Sequence, residues 1–182
     1  MRAAPIATVA LLLLGSSLPG IAEDASRASR PDLDAWTGVW VLDKEASDRI
    51  GPLLKLLDAP WIARTLADRL TPTLTITVLG ERGLSVVNEN RLQTSERMLW
   101  ADGIERERRD PSGRKVLSKE FWTATGQLVV SDRIPIDDRV VVVTSTWERV
   151  GEGLELTIRA GAGDGSLEIR RIFRRRSKKS SR

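Results

Sequence analysis

From residue 72 onward the chain is interrupted at short, regular intervals by turn-forming clusters, and that rhythm leaves few folds open. The clusters fall at residues 80–83, 88–91, 101–103, 110–113, 124–126, 135–138, 151–153 and 161–165. Between them apolar and polar residues alternate. Leu74, Ile76 and Val78 share one face against Thr73, Thr75 and Thr77, and Leu154, Leu156 and Ile158 face away from Glu155, Thr157 and Arg159. Residues 140–143 are a run of valines. A period of two bounded by glycine, proline and aspartate predicts a meander of hairpin-linked strands.

One stretch breaks the rhythm. Between residues 44 and 71 the apolar positions shift to helical spacing, first Ile50, Leu53, Leu54 and Leu57, then Ile62, Leu66 and Leu70. Pro52 suits a first helical turn, and Asp58-Ala59-Pro60 separates two segments. Two short helices are expected, near 52–58 and 60–70. Neither is long enough to hold alone, so both are expected to pack on apolar surface. With a first strand near 36–43, the order is one strand, a helix pair and nine more strands. Closing such a meander removes its exposed edges. The predicted fold is therefore all-β: a ten-stranded antiparallel up-and-down β-barrel (β-clam) with a short helix-turn-helix lid between strands one and two. A barrel of that size has room for a small cavity.

Composition limits the chemistry. The chain has no cysteine, histidine or tyrosine, so there is no thiol nucleophile and no imidazole base or ligand. The remaining acid–base candidates are Asp137-Asp138, in a turn, and Glu105 with Glu107, which alternate with Arg106, Arg108 and Arg109 as a solvated strand face does. Gly161-Ala162-Gly163-Asp164-Gly165 is followed by neither a lysine nor a helix, so a hairpin turn is expected rather than a phosphate loop. No catalytic residue, metal site or cofactor is expected, and the chain is not read as an enzyme.

The two ends read differently from the body. Arg2, the apolar run 7–14, the breakers Gly15, Pro19 and Gly20, and the small residues ending at Ala22 predict a signal peptide over 1–22, too short to span a bilayer. The mature protein is then periplasmic or secreted. Residues 23–35 read as a flexible linker, residues 36–175 as the barrel and residues 176–182 as a basic disordered tail. The formal charge is +4, but six basic residues lie between 174 and 182, which leaves residues 23–173 about three charges negative. Such a tail is drawn to an anionic membrane surface, or it serves as a solubilising end. No aromatic residue interleaves it, so nucleic acid is not an expected partner.

Three stretches carry a family resemblance. They are Trp36-Thr37-Gly38-Val39-Trp40, residues 57–78 with Thr71-Pro72-Thr73-Leu74-Thr75-Ile76, and Ile169-Arg170-Arg171-Ile172-Phe173. Together with the helix pair, these resemble the fatty-acid-binding (intracellular lipid-binding) proteins of the lipocalin-like calycin group over residues 36–175. The resemblance implies a clam holding a small hydrophobic, fatty-acid-like ligand. It places Arg171, Phe173, Ser145 and Trp147 at the ligand and Leu54, Leu57, Trp61, Ile62 and Leu66 in the lid or portal. Phe173 stands where the family has a tyrosine, and no arginine stands at 145–147.

Parity on the last strand makes Arg171 the sharpest feature, because it shares a face with Leu167, Ile169 and Phe173. A guanidinium there must meet a ligand's acidic head, an internal carboxylate or rim water. Trp36 and Trp40 are expected at the barrel base. Trp61 either touches membrane or anchors the lid to the barrel. The inward faces at Arg97 to Trp100, and at Trp122 and Trp147, stay open. Beside the carrier reading stands a second: a non-enzymatic structural or interaction protein of the cell envelope with a filled barrel.

Overall fold

The computed structural model describes residues 32–81, 83–110, 112–162 and 165–176. The expected signal peptide and nearly all of the basic tail lie outside these residues, as does the linker up to residue 31. Ten strands follow in order: β1 (Gly38–Asp43), β2 (Thr73–Leu79), β3 (Gly83–Glu89), β4 (Thr94–Trp100), β5 (Asp102–Arg109), β6 (Lys115–Trp122), β7 (Leu128–Ile136), β8 (Arg139–Val150), β9 (Gly153–Ala162) and β10 (Gly165–Arg175). Two helices, α1 (Gly51–Leu56) and α2 (Trp61–Arg69), lie between β1 and β2. The expected all-β clam is the fold observed.

The strands form one antiparallel sheet in the order β4-β3-β2-β1-β10-β9-β8-β7-β6-β5. The first and last strands close on each other, with Trp40 opposite Arg175 and Leu42 opposite Phe173. The ladder is broken only between β4 and β5, which are joined by the single buried residue Ala101. Local structure precedes the first strand. Leu33–Trp36 forms a 3-10 turn, and Leu33 and Trp36 pack into the core, although residues 33–35 fall within the expected linker. Gly38 shows why that opening needs a glycine. Its φ is +146°, and a Cβ there would stand 3.1 Å from Arg175 Nε.

Two apolar clusters fill the ends. The base cluster gathers Trp36, Trp40, Leu42, Leu74, Ile76, Leu84, Leu99, Leu154 and Phe173, with Trp122 and Trp147 against it. The upper cluster, under the lid, gathers Val116, Ile134, Ile136, Val141, Ile158 and Ile169 with Leu53 of α1. Alternation puts these residues inward on successive strands, and burying each large side chain stabilises the fold by about 2 kcal/mol.

The two helices behave differently. α1 begins with proline in its first turn and ends at Leu56; two residues on, Asp58 has a φ of 57°, a left-handed conformation that aspartate tolerates. It buries Leu53, and Leu56 and Leu57 pack on the upper cluster. α2 buries nothing. Trp61 and Ile62 are 66% and 60% exposed, and Leu66 is exposed as well. The expectation that both helices pack apolar surface on the barrel therefore fails for α2. Polar contacts hold it instead: Gly51 N donates to Asp68 Oδ1 at 2.9 Å, and Lys44 Nζ donates to the Arg69 carbonyl at 3.0 Å.

Candidate functional site

The inward residues of β6 to β10 line the barrel wall in rows fixed by strand register. In one row Trp122 faces Leu128, Leu128 faces Trp147, Trp147 faces Leu156 and Leu156 faces Arg171. Next to it lie Glu120, Val130, Ser145, Ile158 and Ile169, and beyond that Ser118, Asp132, Val143 and Ala160. The four expected ligand residues thus belong to one interior. Arg171 is 7% exposed, Phe173 is buried in the base cluster, and Ser145 and Trp147 are half-buried.

Arg171 is the residue whose surroundings are least settled by protein partners. Its Nε is buried and has no hydrogen-bond partner among the described residues. Burial pushes its pKa below the ordinary arginine value, against the pull of Asp68 and Asp48. It borders a cavity of about 270 Å³ beneath the lid, lined also by Leu42, Ser47, Asp48, Ile50, Asp68 and Leu70. A second opening of about 550 Å³ lies beside α1, against Pro52, Leu56, Asp58, Arg139, Ala160 and Leu167. Of the expected lid residues, Leu57 packs on the upper cluster and Leu54 is half-buried, whereas Trp61, Ile62 and Leu66 face outward.

A second polar group was not anticipated. Arg97 of β4 reaches across the broken ladder. Its Nη1 donates to Asp132 Oδ2 at 3.0 Å, and its Nη2 donates to Asp132 Oδ1 and Glu120 Oε1, each at 3.0 Å, and to Ser118 Oγ at 2.6 Å. Ser118 Oγ in turn lies 2.6 Å from Asp132 Oδ1. Arg108 of β5 adds a bond from Nη2 to Asp132 Oδ2 at 2.7 Å. Burial works against ionising both Arg97 and Asp132, yet the pairing outweighs it: the arginine pKa is raised and the carboxyl is held below its ordinary value. The parity rule that singled out Arg171 applies equally to Asp132 between Val130 and Ile134, and less sharply to Glu120, whose same-face neighbours are Ser118 and Trp122. Arg108 does not belong to the solvated face expected for residues 105–109, because it turns inward. Glu105 and Glu107 do form exposed pairs, with Arg133 and Lys115.

At the base, two guanidinium groups lie over the Trp40 ring. Arg149 Cζ lies 4.4 Å and Arg175 Cζ 5.1 Å from the ring centroid, and Trp40 Nε1 donates to the Trp36 carbonyl at 3.0 Å. Trp36 meets Trp122 edge to face, with centroids 5.1 Å apart. Met98 and Trp100 face outward, while Arg97 and Leu99 face inward.

An antiparallel ten-stranded clam with a helix pair after its first strand and a broken ladder between strands four and five is the fold of the fatty-acid-binding proteins. Solved structures agree. Lipid binding protein 8 of Caenorhabditis elegans, in its apo form, superimposes with a TM-score of 0.68 at 16% identity, covering 80% of this chain and 99% of that one. A Schistosoma mansoni fatty acid binding protein in complex with arachidonic acid gives 0.63 at 21% identity, over 80% and 98%. The fluorescent protein UnaG gives 0.63 at 24% identity, over 79% and 99%. No protein-family model matches the chain, and no curated protein matches it.

Proposed function

We propose that this protein is a non-enzymatic carrier that holds a small, anionic hydrophobic molecule of the fatty-acid kind inside its barrel. One observation carries the reading: Arg171, buried on an otherwise apolar inward face, has no carboxylate bonded to it among the described residues and borders a cavity under the lid. A guanidinium so placed is suited to a carboxylate head group. The apolar wall supplies the rest, at roughly 0.8 kcal/mol per buried methylene, so ten methylenes contribute about 8 kcal/mol before ordering costs, the scale of micromolar binding. Solved proteins of the same fold include fatty-acid carriers. In this reading α1 and α2 form the lid. The exposed Trp61, Ile62 and Leu66 mark the side from which ligand enters. The amino-terminal residues direct export to the periplasm or beyond, and the basic tail draws the carrier to anionic membrane during exchange.

A specific observation also favours a second reading, a structural or interaction protein of the envelope whose barrel is filled. The Arg97–Asp132–Glu120–Ser118 group occupies interior space that a lipid chain would otherwise take. Native mass spectrometry of protein purified from its own compartment separates the two. A co-purified lipid-sized mass that is lost on denaturation supports the carrier. Bare protein that also fails to take up added fatty acid supports the filled barrel.

A further inference from the structure

The interior has an excess of unanswered donors. Among the described residues, the buried side-chain polar atoms without a hydrogen-bond partner are Nε of Arg97, Arg108 and Arg171, Nε and Nη1 of Arg149, the indole nitrogens of Trp122 and Trp147, and Oδ1 of Asn88. All but the last are donors. A buried donor left unpaired is costly, and such groups in native proteins have an acceptor supplied from somewhere.

Their arrangement is ordered. Trp122, Trp147 and Arg171 stand on one inward row, separated by Leu128 and Leu156. The row alternates donor, leucine, donor, leucine, donor. Strand spacing puts successive donors about 10 Å apart at the backbone. A plain acyl chain answers the guanidinium with its carboxylate and then lays bare methylenes over both indole N–H groups. A molecule with apolar stretches and a second oxygen farther along answers the row as it stands.

We infer that the preferred ligand is an amphiphilic anion carrying a second hydrogen-bond acceptor on its apolar skeleton, with its carboxylate on Arg171 and the second oxygen taking the indole N–H of Trp147 or Trp122. This rests on the carrier reading and narrows its substrate class from fatty acids in general to oxygenated ones. A site built to donate a hydrogen bond discriminates against the analogue that lacks the acceptor.

The test is calorimetric titration of the full mature chain with stearate and with a mid-chain ketostearate, whose added oxygen is an acceptor only. Wild-type protein is expected to bind the keto acid about fivefold more tightly, the worth of one good hydrogen bond. Trp122→Phe and Trp147→Phe keep an aromatic ring at each position and remove the donors. Combined, they are expected to bring the ratio to about one, whereas a purely structural role would weaken both ligands together and leave the ratio at its wild-type value. The wild-type ratio alone already decides the matter should the variants fold poorly. Stearate binding as tightly as the keto acid overturns the inference and leaves the carrier standing. Failure of both to bind overturns the carrier reading and the inference with it.

Discussion

Between β1 and β10 the barrel is closed by backbone, from Trp40 opposite Arg175 to Asp43 opposite Ile172; between β4 and β5 it is closed by side chains. The first closure is made by main-chain pairing and is flanked by the base cluster. The second depends on Arg97 and Arg108 finding Asp132, Glu120 and Ser118. The energetics differ accordingly. An apolar seam loses stability in proportion to what is removed. A buried ionic seam contributes little net stability while intact and costs much when one partner is lost, because the other stays buried and unpaired.

The largest effect is expected on the backbone-closed side. Phe173→Ala should destabilise the fold by about 4 kcal/mol in chemical denaturation, through the cavity left beside Leu42 and Leu154. On the other seam, Asp132→Asn should cost about 3 kcal/mol, since Arg108 loses its carboxylate partner and Arg97 is left with Glu120 alone. A loss below that of an ordinary surface substitution would show that the ionic group does not hold the seam.

Acid should separate the two seams without mutation. The Asp132 carboxyl is held below its ordinary value, so its contribution is present above about pH 4 and is lost as pH falls through its lowered folded value. Amide hydrogens of β4 and β5 are therefore expected to lose exchange protection at a higher pH than those of β1 and β10. Simultaneous loss would contradict the distinction. The smallest effect is expected where an ion pair touches neither seam. Arg159→Ala, which breaks the exposed pair with Glu168, should leave the melting temperature unchanged.

The same contrast explains what the sequence revealed. Strand order, the helix pair and the base tryptophans follow from periodicity and turn chemistry, which are local. Arg171 was found because a single charge interrupts an apolar face. Asp132 interrupts an apolar face as clearly, but Arg97, its partner, sits on a strand whose sequence leaves the inward face ambiguous between Arg97 with Leu99 and Met98 with Trp100. The partnership across the broken ladder exists only in three dimensions. The outward turn of α2 was hidden for a related reason. Ile62, Leu66 and Leu70 have helical spacing, and spacing says that a helix has an apolar stripe without saying what covers it. In the fold that stripe is left largely bare, and Asp68 and the Arg69 carbonyl do the anchoring.

Titration with a fluorescent fatty-acid analogue, followed by displacement with palmitate, tests most directly whether the interior is a chamber served by Arg171. The account predicts saturable binding at about micromolar concentration, displaceable by palmitate and weakened about tenfold in Arg171→Gln, the worth of one charge-assisted hydrogen bond. Absence of saturable binding by a folded wild-type protein, or equal affinity in the Arg171→Gln variant, would contradict it.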